Sequence, residues 1–210
     1  MKLTTLTLVA LSSLSVLAEE SKKTDLLAKG LDGWSFMTKD GEQPVDTAWK
    51  LKDEILSTTG TPTGYLRTKE TYKNYTLSFE WRWQPGTERN NSGVLVHVST
   101  PATAPGVWPK SFEAQLEHQN AGDFWCIGET LEAKGESPNH GKRWIRTADP
   151  KEKPLGEWNS MIVTCTETEI TVQVNGILTN QGKKLSTNQG SIAFQAEGAP
   201  IEIRNILVTK

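Results

Sequence analysis

The chain has 210 residues, with 23 Lys and Arg against 25 Asp and Glu and a formal charge of −2. The basic residues are scattered rather than clustered, which argues against an electrostatic nucleic-acid footprint. Two cysteines with no second pair or nearby His leave no zinc ligand set.

The opening "MKLTTLTLVALSSLSVLA" has an early Lys, an apolar run thinned by Ser and Thr, and small residues before Glu19. That is the build of a secretory signal over residues 1–18. An exported protein, periplasmic or secreted, is expected, with residues 19–210 forming a single domain. No later segment is apolar enough over sufficient length to span a bilayer.

The texture that follows is β. "YTLSFEWRW" alternates, with Tyr75, Leu77, Phe79, Trp81 and Trp83 on one face and Thr76, Ser78, Glu80 and Arg82 on the other. In "SGVLVHVS" the same alternation sets Val94, Val96 and Val98 against Leu95, His97 and Ser99. "STPATAPGVWPKS" is too rich in Pro for a strand and reads as a surface loop. "SFEAQLEH" resumes the alternation, with Phe112, Ala114 and Leu116 opposite Glu113, Gln115 and Glu117. "ETLEAKGESPNHGKRW" reads as a second long loop with room for one helical turn. "MIVTC" and "EITVQVNG" form a hairpin signal across "TETE", and Asn175-Gly176 marks a tight turn. "GSIAFQAE" and "IEIRNILVTK" close the chain. This pattern of short strands split by Gly, Pro, Asn and Asp predicts an all-β antiparallel sandwich or barrel. Cys126 and Cys165 either pair in an oxidising compartment or act as small buried hydrophobes.

Residues two apart on a strand share a face, so Glu113 and Gln115 project together. A wet sheet face would explain Arg82 and Glu117. A carboxylate beside an amide, followed by "NAGDFW", instead suits sugar recognition through paired hydroxyls and an indole platform. Of the eight tryptophans, Trp81 and Trp83 fall on core parity, and Trp49 and Trp158 open strands as packing residues. Trp108, Trp125 and Trp144 lie in or beside loops and are the candidate platforms. His97, His118 and His140 show no metal-ligand spacing. A calcium or other divalent cation is the candidate cofactor, with Asp123 and nearby carbonyls as donors.

Taken together, "GYLRTKETYKNYTLSFEWRW", "NNSGVLVHV", "FEAQLEHQNAGDFW", "VNGILTN" and "IEIRNILV" resemble the 3-keto-disaccharide hydrolase family in order and spacing, over nearly the whole mature chain. The resemblance implies a concanavalin A-like jelly roll of two curved antiparallel sheets with a sugar site on the concave face. It also implies an exported protein acting on a small oligosaccharide or oxidised glycoside. Carried over by position, Glu80 matches the family's "L-x-x-E-[FW]-R", Asn91, Ser92 and Gly93 its "NSG", and Glu113 and Gln115 its "E-x-Q". Arg204 and Asn205 match the "RN" of its last strand, where a structural role is expected. Two departures stand out. His97 takes a place where Arg is common, and His118 and later Asp123 stand where the family often has Asp.

Chemistry on such a substrate starts at C2, whose proton a C3 ketone makes removable. Elimination of the C1 substituent and hydration follow. Glu113 is the expected base. His97, Arg67 or a divalent cation is the candidate to steady the enolate, and Glu80 or His118 to assist the leaving oxygen. Glu113, Gln115, Glu80 and His97 thus form the expected catalytic set. Arg67, Asn91, His118, Asp123 and Trp125 form the expected substrate-binding set. A two-carboxylate glycosidase pairing Glu113 with Glu80 and a lectin-like module without turnover are the alternatives.

Overall fold

The computed structural model describes residues 22–86, 90–99 and 106–210; the expected signal segment lies outside the described residues. In chain order the strands are β1 (Lys23–Asp25), β2 (Trp34–Thr38), β3 (Gly41–Gln43), β4 (Trp49–Lys52), β5 (Ile55–Thr58) and β6 (Gly64–Thr68). Next come β7 (Tyr75–Trp83), β8 (Gly93–Val98), β9 (Ser111–Gln115), β10 (Phe124–Ile127), β11 (Glu132–Ala133) and β12 (Arg143–Trp144). The last are β13 (Asn159–Cys165), β14 (Glu169–Val174), β15 (Ile177–Lys183), β16 (Ser191–Ala196) and β17 (Ile201–Thr209). Among the described residues the only helical element is a 3₁₀ turn at Val45–Thr47. The loop expected to hold a helical turn carries the short strands β11 and β12 instead.

The strands form two antiparallel sheets. The first runs β11-β15-β14-β13-β7-β17-β5-β4, with β1 on β17, and the second runs β12-β10-β9-β8-β16-β6-β2-β3. This is a concanavalin A-like jelly roll. Alternation built it as expected: Leu77, Phe79, Trp81, Trp83, Met161, Val163, Ile170 and Val172 of the first sheet meet Phe36, Leu66, Val94, Phe112, Ala114, Phe124 and Phe194 of the second in one core. Burying this many large apolar side chains from two facing sheets is the main stabilising term. Asn175 and Gly176 take φ of 49° and 80° and join β14 to β15, the paired positive angles that a two-residue hairpin turn requires.

Two bulges break the period and re-aim side chains. Between Leu95 and Val98, three steps on β8 face two on β16, from Ala193 to Ser191. The extra residue flips parity. His97, with φ 54°, turns into the core, while Val98 joins Leu95 on the outer face. In β17, three steps from Arg204 to Leu207 face two on β7, and Asn205 has φ 55°. Ile206 is thereby turned into the core.

Cys126 and Cys165 are both buried free thiols. They sit on strands of different sheets. Burial pushes Cys126 up to about 11 and Cys165 up to about 12, so neither is a thiolate at neutral pH.

Candidate functional site

The outer face of the second sheet carries a row of side chains in register. Arg67 on β6 pairs with Ala193 on β16, Ala193 with Leu95 on β8, Leu95 with Glu113 on β9, Glu113 with Trp125 on β10, and Trp125 with Arg143 on β12. Five neighbouring strands place Arg67 and Trp125 on either side of Glu113, with small or apolar residues between. Tyr65, Leu95, Val98 and Ala193 on this face pack against Val107, and Trp108 leans on the same cluster. A cavity of about 660 Å³ opens beside it, lined by Thr38, Gln43, Pro62, Thr63 and Val107 among others.

The polar row of β9 is not wet surface. Glu113 is 5% exposed and Gln115 4%. Glycine makes this possible. A Cβ on Gly93 would lie 2.3 Å from Glu113 Oε1, 2.6 Å from Glu113 Cγ and 2.6 Å from Gln195 Oε1. The "NSG" glycine is thus a floor on which the carboxyl and an amide rest. Gln195 Nε2 donates to Glu113 Oε2 at 3.4 Å. Burial, then the neighbouring Glu197 charge, push Glu113 up to about 8, against the pull of the Gln195 hydrogen bond. Substituting Gly93 by Ala is expected to force the carboxyl off this floor and lower turnover by about 10²-fold, since displacing a reacting group by about 1 Å costs that much. The cost in stability is about 1–3 kcal/mol from overpacking. Steady-state kinetics beside a thermal melt separate the two effects.

Gln115 is tied back to its own strand end. Its Oε1 accepts from the backbone N–H of Leu116 and of Glu117, each at 2.8 Å. Only its Nε2 remains for another partner. Asn91 sits at the head of β8, with Oδ1 buried and unpartnered. Trp125 is half-buried, its Nε1 has no partner, and the Arg143 guanidinium lies 5.5 Å from its ring centroid.

Four expected site residues stand elsewhere. Glu80 projects from β7 on the outer face of the first sheet, with the whole core between it and Glu113. There it accepts from Arg204 Nε at 2.7 Å and Asn205 Nδ2 at 2.8 Å. Trp158 lies nearby, under the Arg82 and Arg204 guanidinium groups. A Glu113–Glu80 pair is therefore excluded by geometry. Glu80→Gln should leave turnover unchanged and cost no more than about 1 kcal/mol, as for other half-exposed ion pairs; parallel kinetics and denaturant melts check this.

His97 is fully buried, ring edge against Tyr75 and Phe112, with Nδ1 3.2 Å from the Thr187 carbonyl. Burial holds it down to about 4, against the Thr187 hydrogen bond, so it is neutral and out of reach of substrate. Asp123 is 0% exposed and its oxygens are already taken. Arg143 donates Nε at 2.9 Å and Nη2 at 2.6 Å to Oδ2, while Arg146 donates its backbone N–H at 3.0 Å and Nη1 at 3.1 Å to Oδ1. Each Asp123 oxygen thus already accepts two hydrogen bonds. Among the described residues no group of three His, Cys, Asp or Glu side chains could hold a metal ion, and the Asp123 carboxylate offered for calcium is already engaged by the two arginines. His118 pairs with Glu152 at 3.3 Å beside the 149–154 segment.

A family model described as a 3-keto-alpha-glucoside-1,2-lyase-like domain matches residues 23–209. The chain belongs to this family. No curated protein matches the sequence. Among solved structures, the lyase-like domain is similar to two candidate glycosyl hydrolases from Parabacteroides distasonis. One has a TM-score of 0.62 at 21% identity, covering 89% of this chain and 98% of that one. The other has a TM-score of 0.64 at 18% identity, covering 89% and 92%. It is also similar to the carbohydrate-binding module CBM66 of Bacillus subtilis, with a TM-score of 0.58 at 9% identity, covering 83% and 93%. At these identities the likeness establishes the shared fold, while membership of the family makes this a carbohydrate-active jelly roll. Among the described residues no helix is long and apolar enough to cross a membrane.

Sequence reasoning missed the neighbours that shape Glu113 in the lyase-like domain. Gln195 and Glu197 lie on one parity of "GSIAFQAE", a signal of the same kind that singled out Glu113 and Gln115. Arg143 and Arg146 sit in a segment that reads as loop, where no period marks their direction.

Proposed function

We propose that this lyase-like domain is an exported enzyme that cleaves 3-keto-glycosides, with Glu113 as the base that removes the C2 proton. One observation carries the reading: a carboxyl lifted to about 8 and buried on a sheet face in register with an indole. A base near neutral pKa suits a carbon acid better than an ordinary carboxylate does. The C3 ketone acidifies the C2–H bond. Glu113 takes that proton, the electron pair forms the C1–C2 double bond, and the C1–O bond breaks as the leaving oxygen gains a proton. Water then returns a proton to C2 and hydroxide to C1, releasing the free 3-keto sugar.

Trp125 offers a flat apolar surface to the ring. Arg67 supplies positive charge on the same row, three strands and about 14 Å along the sheet from Glu113 at the usual strand spacing. Asn91 and the Gln115 amide are proposed to bind hydroxyls. Neither Glu80 nor His118 stands beside Glu113, so water is the proposed donor to the leaving oxygen.

The test is incubation with a 3-keto-glucoside and with the matching unoxidised glucoside. Release from the keto sugar alone supports the proposal. With Glu113 as base, kcat/KM should rise with pH through about 8 and level off above it. Release from the plain glucoside, or a rate that falls through the same range, points to an acid role and overturns it. Binding of both sugars without product makes the protein a lectin.

A further inference from the structure

The contact between Glu113 and Gln195 is half made. Gln195 is 1% exposed, and its Nε2 reaches Glu113 Oε2. Its Oε1 is buried and has no hydrogen-bond partner. It and Glu113 Oε1 converge on one point, 2.6 and 2.3 Å away respectively, where Gly93 has no side chain. Two acceptors opposed over a floor without a donor are unfavourable, and a buried acceptor normally finds a partner. Turning the amide over exchanges the two contacts and leaves one oxygen still opposed to another.

A proton on Glu113 removes the conflict. The neutral carboxyl donates O–H to Gln195 Oε1 while accepting from Gln195 Nε2, closing a reciprocal acid–amide ring. The surrounding groups favour that neutral form. Glu197 beyond Gln195 and Glu117 beyond Gln115 are acidic neighbours. Gly93 and Leu95 on β8 carry no charge, and the Arg143 guanidinium past Trp125 is engaged by Asp123.

We propose that Gln195 is a positioning residue that clamps the Glu113 carboxyl over Gly93 as a two-hydrogen-bond acid–amide pair in the resting protein. Its catalytic consequence rests on Glu113 being the base; the pair itself does not.

Infrared difference spectra of the full chain, without substrate, read the pair directly. At pH 6 the wild type should show a protonated-carboxyl C=O band that Glu113→Gln removes. Gln195→Met, close in size but without donor or acceptor, should move that band to higher wavenumber, because a carboxyl stripped of both hydrogen bonds vibrates faster. Gly93→Ala, which drives the same two oxygens apart, should shift it the same way and serves if Gln195→Met does not fold. Absence of a Glu113 band at pH 6, or a band unmoved in whichever variant folds, overturns the clamp. No substrate enters this measurement. A protein inert towards 3-keto sugars that shows the shift loses the catalytic reading and keeps the clamp, and an active protein with an unmoved band does the reverse.

Discussion

Replacing Glu113 by Gln is expected to abolish cleavage of a 3-keto-glycoside and, at alkaline pH, to make the protein more stable. The first effect is the loss of the group that takes the C2 proton, worth on the order of a thousandfold in kcat or more. The second follows from where the carboxyl sits. Folding lifts it from an ordinary value near 4.5 to about 8. Between those two values the folded state holds a proton that the unfolded chain has released. Stability contributed by this group is therefore complete below about 4.5, falls as pH rises, and is lost above about 8. The charged form at pH 9 costs a few kcal/mol, since each pKa unit is worth about 1.4 kcal/mol. Gln occupies the same space without a charge and escapes that cost. Thermal melts at pH 5 and pH 9 decide the matter: the variant and wild type should nearly coincide at pH 5, with the variant higher at pH 9. A gap that does not change with pH would mean that the carboxyl is not buried as described. A stability gain paired with lost turnover would be the mark of a group retained for chemistry.

Asp123→Ala is the second large effect, and it falls on stability. Asp123 is fully buried and bonds two guanidinium groups and a backbone N–H. These contacts tie β12 and the chain after it to the start of β10, which lies beside β9. Removing the carboxylate takes away the buried acceptor that Arg143 and Arg146 share. Breaking a buried pair costs about 3–5 kcal/mol, and the lower end applies because both guanidinium groups keep some access to water. For a domain of this size that is a fall in Tm on the order of 10 °C. Asp123→Asn, which keeps a carbonyl acceptor, should fall between. A Tm unchanged in the Ala variant would show that the two arginines find other partners, and would reopen Asp123 as a ligand residue.

Strand by strand, alternation was the reliable signal. It set Phe79, Trp81, Phe112 and Ala114 inward and Glu113 outward because a strand has a period of two and each sheet has one face on the core. The same rule misplaced His97. A bulge adds one residue to β8 and reverses every side chain beyond it, and no residue in "SGVLVHVS" announces that irregularity. Glu80 and Glu113 both read as outward carboxylates, correctly, but parity does not say which of two sheets a strand joins. Only the pairing of β7 with β13 and β17, and of β9 with β8 and β10, put them on opposite faces of the molecule. Asp123 looked like a ligand because its two arginines come from a segment twenty residues on, which alternation does not describe.

The sequence by itself therefore determined the antiparallel all-β class, its core, and the polar parity of Glu113 and Gln115, since these depend on local period and apolar burial; the choice of sandwich over barrel came from the family resemblance. The tertiary structure alone decided what Glu113 is. Its pKa, its seat over Gly93 and its partner Gln195 arise from three strands meeting side by side. Desolvation and hydrogen bonding act through space between residues as far apart in the chain as 93, 113 and 195, and no local pattern encodes that meeting.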